Sequence, residues 1–270
     1  MYMKTVDQSI FQKLTVPRPD SHKGQNGRVV IIAGSEKFHG AMLLTVQSAS
    51  RIVDMVYVHS TKENLGLVKK LKSETATFIA VKTDELFQTI EICDVIIMGP
   101  GLSESPATVS LVHEILTRYT NKKTVVDATA FWHVEPEYLH DHCIATPHSR
   151  EFQNVFKCDP TPENVQKMAR RYGCIVVLKG MRDYVSDGHE LYENRTGNVG
   201  MTKGGTGDVL AGLIGSFAAT NELLIAALAG TYLNGLLGDR LQERVGRFYN
   251  AEDLIAELGR VWREKFVQQP

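Results

Sequence analysis

The chain has 270 residues, 43% of them hydrophobic, and 30 basic residues against 31 acidic ones give a net charge of −1. This length is sufficient for a large core, and nothing in the balanced charge predicts electrostatic binding of nucleic acid or membrane. No apolar stretch approaches the ~18 residues of a membrane span, and residues 1–10 lack a signal-peptide core. The four cysteines form no CxxC pair, so we expect no zinc ribbon and predict a cytoplasmic protein.

Short β-branched runs alternate with helical patterns, which is typical of a parallel sheet covered on both faces. We predict strands at 29–33, 54–59, 77–81, 94–98, 124–126, 143–145 and 174–178, with a helix at 40–52. A β-hairpin turning at Asp187-Gly188 follows, and then helices at 208–219, 223–242 and 251–266. Residues 1–20, with Pro17 and Pro19, predict an irregular arm. We expect a single α/β domain over 1–270.

The predicted strands end in small, polar or charged residues. Ligands of open parallel sheets bind beyond the carboxyl ends of the strands, so these residues are expected to meet on one rim. They are Gly34-Ser35, Gly99-Pro100-Gly101, Asp127, Thr146-Pro147-His148 and Lys179-Gly180.

The segment from Asn198 to Asp208 carries four glycines within eight residues. Exposed N–H groups of such a loop can surround phosphate oxygens, and the helix predicted to begin near Thr206 adds the positive end of its dipole. Asp208 in the first turn could accept the proton of a hydroxyl that attacks phosphorus, and Lys203 could add positive charge. The spacing is not that of a Walker loop. A helix-start acid without catalytic function is the alternative, because the dipole alone favours Asp there.

Gly204-Gly205-Thr206-Gly207-Asp208, followed by Val209-Leu210-Ala211-Gly212, resembles the anion-hole motif of the ribokinase-like superfamily. Within it the chain is most similar to the ADP/ATP-dependent NAD(P)H-hydrate dehydratases, because six further segments occur in that family's order. These are His22-Lys23-Gly24 with Gly27-Arg28-Val29, Gly34-Ser35 with Gly40-Ala41, Met98-Gly99-Pro100-Gly101-Leu102, Asp127-Ala128, Thr146-Pro147-His148 with Glu151-Phe152, and Val177-Leu178-Lys179-Gly180.

The resemblance implies a ribokinase-like fold and a repair reaction. Hydrated NADH or NADPH would lose water after ATP or ADP phosphorylates its ring hydroxyl, and Asp208 would take the hydroxyl proton. Magnesium is implied at Glu151, and a homotetramer by the family's habit. The implied nucleotide contacts are Lys179, Gly180, Met181, Arg182, Asp183, Gly204, Gly205, Thr206 and Gly207. The implied contacts to the hydrated dinucleotide are Ala41, Gly101, His148 and Asp208.

Four features depart from the family pattern. Lys203 replaces a small or hydroxyl residue, Thr129 an acid, and Asn234 a frequent histidine. The segment Arg51-Ile52-Val53-Asp54-Met55 lacks the glycines common after the first helix. The alternative functions are a ribokinase-like kinase of a small alcohol and a non-catalytic nucleotide-binding protein. His140-Asp141-His142 is predicted to be a polar turn. Phe131, Trp132 and Tyr138 are predicted to pack against the protein rather than to stack on a base.

Overall fold

The computed structural model describes residues 2–71 and 77–266. The strands β1 to β10 are, in chain order, Lys4–Thr5, Arg28–Ile32, Met55–His59, Ile79–Val81, Val95–Met98, Lys123–Val126, Cys143–Ala145, Ile175–Leu178, Asp183–Ser186 and Leu191–Asn194. The helices α1 to α10 are His39–Ala49, Lys62–Leu71, Leu86–Ile92, Pro106–Arg118, Ala128–Trp132, Ser149–Phe156, Pro162–Tyr172, Thr206–Ala218, Leu223–Val245 and Ala251–Phe266.

All ten strands belong to one sheet in the order β1-β10-β9-β8-β7-β6-β5-β2-β3-β4. Neighbouring strands are parallel except around β9, which is antiparallel to both β8 and β10. The chain moves from β2 outward through β3 and β4, and then returns to pair β5 with the other side of β2. This reversal opens a crevice beyond the carboxyl ends of β2 and β5, where open α/β sheets bind ligands.

Both faces of the sheet are buried because alternate residues of each strand enter different cores. In β2, Val29 and Ile31 pack in one core, whereas Val30 and Ile32 pack in the other. The first core contains α1, α8, α9 and α10, and the second contains α3, α4, α6 and α7. The predicted α/β class, with a mainly parallel sheet covered on both sides, is confirmed.

The predicted elements differ from the observed ones mostly by one or two residues at their ends, and the hairpin forms as β9 and β10. The prediction of an irregular arm at residues 1–20 is wrong in part. Lys4–Thr5 pairs in parallel with β10, and Gln8–Lys13 forms a 3₁₀ helix that buries Ile10 and Phe11. These contacts join segments nearly 190 residues apart, a separation visible in the pairing of Lys4 with Tyr192. Among the described residues, no helix combines the length and apolar content that a membrane crossing requires.

Gly99 allows the ends of β5 and β6 to approach closely. Its φ is +123°, and a Cβ placed on it would lie 1.7 Å from the carbonyl oxygen of Asp127. Any side chain there would displace Asp127 or distort the end of β5, so this contact requires glycine.

We therefore expect Gly99→Ala to lower the free energy of unfolding by at least about 3 kcal/mol, because it adds both a clash and an unfavourable φ. Denaturant unfolding measures the change. Gly259→Ala is the matched control, because a Cβ at this position of α10 meets nothing within 4 Å and alanine favours a helix by roughly 0.5–1 kcal/mol. Equal stability of the two variants would contradict the close approach.

Candidate active site

The glycine loop ends in an open anion-binding surface at the start of α8. Gly205 has φ +97°, and a Cβ on it would lie 2.5 Å from Leu44 Cδ1, so only glycine fits. A Cβ on Gly204 would meet nothing within 4 Å, and one on Gly207 would meet only Lys179 Nζ, at 3.7 Å. The hydroxyl of Thr206 lies within hydrogen-bond distance of the carbonyls of Met201 and Lys203, which fixes the loop. The first N–H groups of α8 therefore face an uncrowded space.

Asp208 lies in the first turn of α8, as predicted. The pKa of its carboxyl group is raised from the ordinary 3.8 to about 7, first by burial and second by the negative charge of Asp127, while the positive charge of Lys179 opposes both. The Thr45 hydroxyl lies 2.9 Å from the Ala41 carbonyl oxygen and 3.2 Å from that of Asp208, so α1 and α8 are joined here. A carboxylate with a pKa near 7 is suited to accept a proton at neutral pH.

Asp127 and Lys179 form a buried ion pair between the ends of β6 and β8. Lys179 Nζ lies 2.6 Å from Asp127 Oδ1, and the Thr146 hydroxyl donates to the same oxygen at 2.6 Å. Asp127 is only 1% exposed. Burial lowers the pKa of Lys179, but Asp127, Glu151 and Asp208 together raise it above its ordinary value. Lys179 therefore stays charged beside Gly207, and three carboxylates surround one ammonium group.

His148 and Glu151 cap the start of α6 reciprocally. His148 Nδ1 accepts hydrogen bonds from the N–H groups of Arg150 and Glu151, while Glu151 Oε2 accepts one from the His148 N–H at 2.7 Å. His148 Nε2 lies 3.5 Å from Glu151 Oε1. Glu151 is buried, and this capping box fixes its carboxylate at the rim of the sheet.

Trp132 also holds Glu151. Its indole N–H donates to Glu151 Oε1 at 2.9 Å, and the side chain stays 40% exposed. A buried carboxylate oxygen requires a donor, and the indole N–H at the end of α5 supplies it. Phe131, by contrast, is fully buried, in agreement with the prediction that it packs rather than stacks on a base.

Ala41 and Gly101 meet in the crevice between β2 and β5. Gly101 has φ +66°, and a Cβ on it would lie 2.8 Å from the Ala41 Cβ and 2.6 Å from the carbonyl oxygen of Phe38. The Gly34 N–H donates to the Pro100 carbonyl at 2.8 Å and links the same two loops. Ala41 and Gly101, two of the contacts that the resemblance implies for the dinucleotide, therefore lie next to each other.

A cavity of about 500 Å³ is bordered by Lys179 and Gly207. Four of the residues implied for the nucleotide line this cavity: Lys179, Gly180, Met181 and Asp183. The Gly180 N–H donates a hydrogen bond to Asp183 Oδ1, with 3.0 Å between nitrogen and oxygen. Arg182 differs from its neighbours in sequence, because its guanidinium pairs with Glu193 at 2.6 Å and does not line the cavity. The remaining wall consists of Thr196, Gly197, Asn198, Val199, Met201, Thr202, Thr206, Gly207, Leu210, Asn234 and Gly235.

A larger cavity, of about 650 Å³, lies among the N-terminal arm and the carboxyl ends of α1, α8 and α10. Residues such as Val16, Arg51 and Trp262 line it, and none of the glycine-loop residues does. The smaller cavity is the better candidate for the nucleotide, because the anion-binding loop and the buried charges border it.

Lys203 does not direct its charge toward the loop. Its ammonium donates to the carbonyl oxygens of Arg247 and Tyr249, and it lies over the Tyr249 ring at 5.1 Å. The prediction that Lys203 adds positive charge for phosphates is therefore wrong, and Lys179 is the cation nearest Gly207.

The segment His140-Asp141-His142 is a turn, as predicted. One imidazole nitrogen from each histidine and one carboxylate oxygen of Asp141 could bind a metal ion, and these three atoms lie within 4.8 Å of one another. His140 Nδ1 accepts from the His142 N–H, which leaves the ring proton on Nε2, 3.4 Å from Cys143 Sγ. The His140 ring thus has no free lone pair for a metal ion.

The raised pKa of Asp208 predicts a stability effect. Between about pH 4 and about pH 7 the folded chain holds a proton that the unfolded chain releases, so this group makes folding less favourable as pH rises. Asp208→Asn removes the titration and should raise the melting temperature relative to the wild type at about pH 8 by several degrees more than at about pH 5.

Differential scanning calorimetry at the two pH values measures this difference. Asp20→Asn serves as the control, because Asp20 is largely exposed and pairs only loosely with Arg18, at 3.6 Å. The same gain for Asp208→Asn at both pH values would contradict a buried, titrating carboxyl group.

Comparisons with known proteins agree with this geometry. A family model described as NAD(P)H-hydrate dehydratase matches residues 29–260. A bifunctional NAD(P)H-hydrate repair enzyme of Methanocaldococcus jannaschii is 37% identical over 90% of this chain and 49% of its own length. An ADP-dependent (S)-NAD(P)H-hydrate dehydratase of Nitrosopumilus maritimus is 30% identical over 97% of this chain and 98% of its own.

A solved ribokinase-like superfamily protein of Enterococcus faecalis superposes with a TM-score of 0.89 at 26% identity, covering 97% of this chain and 96% of that one. The chain spans about half the length of the bifunctional relatives it matches. The predicted ribokinase-like fold is confirmed, and the chain belongs to the NAD(P)H-hydrate dehydratase family.

Proposed function

We propose that this chain removes water from hydrated NADH or NADPH in a reaction that consumes ATP or ADP. The observation that supports it most strongly is the position of Asp208. This carboxyl group, with a pKa of about 7, lies in the first turn of α8 beside an open glycine loop. A base and an anion-binding surface at one point are what phosphoryl transfer to a hydroxyl needs.

In the proposed reaction, Asp208 accepts the proton of the ring hydroxyl while the hydroxyl oxygen attacks the terminal phosphorus of the nucleotide. The bond from that phosphorus to the bridging oxygen breaks, and ADP leaves when ATP is the donor. The ring nitrogen then expels the phosphate, and loss of a proton from the adjacent carbon restores the ring double bond. The hydroxyl oxygen departs within the phosphate.

The chain's own groups stabilise the transferring phosphoryl. Gly204, Gly205, Thr206 and Gly207 offer N–H groups at the positive end of α8. Lys179, beside Gly207, adds a full positive charge. The rest of the nucleotide occupies the 500 Å³ cavity bordered by Lys179, and the dinucleotide occupies the crevice at Ala41 and Gly101.

The acidic groups around Lys179 fit a magnesium ion. Asp127, Glu151 and Asp208 place three carboxylates around one ammonium group, which leaves an excess of negative charge. Each Glu151 oxygen accepts one strong hydrogen bond and retains a lone pair. Glu151 and Asp127 would hold the ion, in part through water as Mg²⁺ prefers. The ion would neutralise charge on the phosphates.

A homotetramer and a cytoplasmic location remain predictions from the sequence and its family resemblance. All four cysteines are free thiols, which agrees with a reducing compartment.

The direct test supplies purified protein with hydrated NADH, magnesium and either ATP or ADP, and follows the absorbance of the reduced ring. We expect recovery that requires nucleotide and falls by about 10²–10⁴-fold in Asp208→Asn, because the general base is lost. Reactions without nucleotide are the negative control, and the same assay is repeated with hydrated NADPH. Lack of recovery with both nucleotides would refute the dehydratase, and a stable phosphorylated alcohol would favour the kinase alternative.

The pH dependence of kcat/KM tests the charge environment of Asp208. Activity should rise with pH through a midpoint near the pKa of about 7, because the base must be ionised. Asp127→Asn removes a negative charge that raises the pKa of Asp208, so the midpoint should move to lower pH.

Asp54→Asn is the control for this shift. Asp54 accepts hydrogen bonds from the N–H groups of Gly24 and Asn26 before β2, at the other end of the sheet. Its variant should keep the wild-type midpoint. An unmoved midpoint in Asp127→Asn would refute the proposed coupling between the two acids.

A further inference from the structure

The 650 Å³ cavity beside the N-terminal arm, which we call the arm cavity, has no part in the proposed reaction. Its walls come from the arm, the segment after α1, the end of α8 and the last turns of α10. Phe217 lines it near the carboxyl end of α8, which places it roughly 14 Å from Asp208 along the helix axis. A cavity of this size can enclose a small organic molecule.

Part of the arm cavity is lined by packed apolar side chains. Leu14, Phe217 and Leu258 are buried members of the core that also contains α8 and α10. Trp262 stacks on Phe217, with 5.7 Å between ring centroids and 20° between ring planes, and its ring lies 6.3 Å from that of Phe11. Such a surface favours an apolar or aromatic body, because covering it releases water.

The charged residues that line the arm cavity are all arginines. Arg18, Arg51 and Arg263 are exposed, and among the described residues of the lining there is no Asp or Glu. Arg18 pairs only loosely with Asp20, at 3.6 Å, and the other two arginines take part in no ion pair between described residues. The whole chain has a net charge of −1, so this positive charge is a local feature. Guanidinium groups suit carboxylate and phosphate oxygens, because their donors form a planar fork.

The carboxyl end of α8 would by itself disfavour an anion, because free carbonyl groups at a helix end carry partial negative charge. Here these carbonyls already accept hydrogen bonds. Lys123 Nζ donates to the carbonyl oxygens of Ala218 and Asn221, each at 2.8 Å, and the Thr15 hydroxyl donates to that of Thr220 at 3.0 Å. Lys123 also brings an ammonium charge to this helix end. The charges around the arm cavity therefore favour an anion.

Hydrogen bonds hold the arm in place around the cavity. The Thr15 N–H donates to Asn221 Oδ1 at 2.7 Å, and the Asn26 N–H donates to Asp54 Oδ2 at 3.1 Å. Asp54 does not itself line the cavity, and it accepts further hydrogen bonds from the Asn26 amide nitrogen. The wall that the arm forms is thus fixed before a ligand arrives, so binding would require little ordering of the chain.

We propose that the arm cavity binds a small organic anion with an apolar or aromatic body. The body lies against Phe217, Leu258 and Trp262, and the acid group accepts hydrogen bonds from Arg51 and Arg263. Val16, which is 76% exposed at the same cavity, is covered by the ligand. Phosphates and carboxylates share this chemistry. The site is separate from the glycine loop, so it does not depend on the proposed dehydratase reaction.

Fluorescence titration with anilinonaphthalene sulfonate, an aromatic anion that becomes fluorescent in apolar sites, measures binding to the folded protein. Arg51→Ala and Arg263→Ala should each raise the Kd by about 3- to 10-fold, as expected for one charge-assisted hydrogen bond at an exposed position. The double variant should raise it by roughly the product of the two factors, because both groups hold one anion.

Arg171→Ala is the matched control. Arg171 is also an exposed arginine, but it belongs to α7 on the other face of the sheet, where its guanidinium lies 5.2 Å from the centre of the Tyr172 ring. Its loss should change the Kd by less than about 2-fold, because exposed charges far from a ligand are screened.

Displacement of the dye compares three ligands with one ring system: naphthyl phosphate, naphthoate and the neutral naphthylmethanol. At least one of the two anions should displace the dye at about 5-fold or more lower concentration than the alcohol, because only the anions use the arginines. This advantage should disappear in the double variant. The stronger of the two anions identifies the preferred acid group.

Three results would overturn the proposal. Absence of dye binding by the wild type would contradict the site, and equal displacement by the neutral alcohol would contradict recognition of the acid group. An unchanged Kd in the double variant would show that the dye binds elsewhere. None of these results affects the dehydratase proposal, which the recovery of the reduced ring tests independently.

Discussion

The buried ion pair between Asp127 and Lys179 determines how the strand ends can be arranged. Asp127 is buried and the side chain of Lys179 is only 18% exposed, so removing either partner would leave a largely buried charge without compensation. The pair joins the end of β6 to the end of β8, two strands separated in the sheet by β7. It also sets the electrostatic environment of Asp208, because one partner raises the pKa of that carboxyl group and the other lowers it. The site thus depends on a charge balance that no single residue provides.

Close backbone contacts make this balance possible. Gly99 lets the end of β5 approach Asp127, and Gly205 lets α8 begin against Leu44. Ala128, directly after Asp127, adopts φ +46°, which is rare for a residue with a side chain. Backbone strain beside a buried acid is often found at functional sites. The carboxylates and Lys179 can therefore gather within a small volume while the sheet beneath them remains regular.

Much of the fold was predictable because the strands are continuous apolar runs and the glycines mark their ends. The glycine loop and Asp208 were also predictable, since their chemistry lies within five consecutive residues. Contacts between distant segments were not. Lys203 adjoins the loop in sequence, but the carbonyls of Arg247 and Tyr249 hold its ammonium elsewhere. The pairing of Trp132 with Glu151 likewise depends on how α5 packs beside α6, which periodicity does not encode.

Helix α8 has a mechanical consequence for the site. Eleven of its thirteen residues are buried, and it packs against both α1 and α9. Asp208 is therefore carried by an element that cannot shift without opening the core. Met181 and Val199, which line the cavity, are highly exposed and lie outside the strands and α-helices. Closure around the reactants would therefore come from those exposed segments moving toward Asp208. The catalytic base would keep its position in the buried helix, and only the walls of the cavity would change.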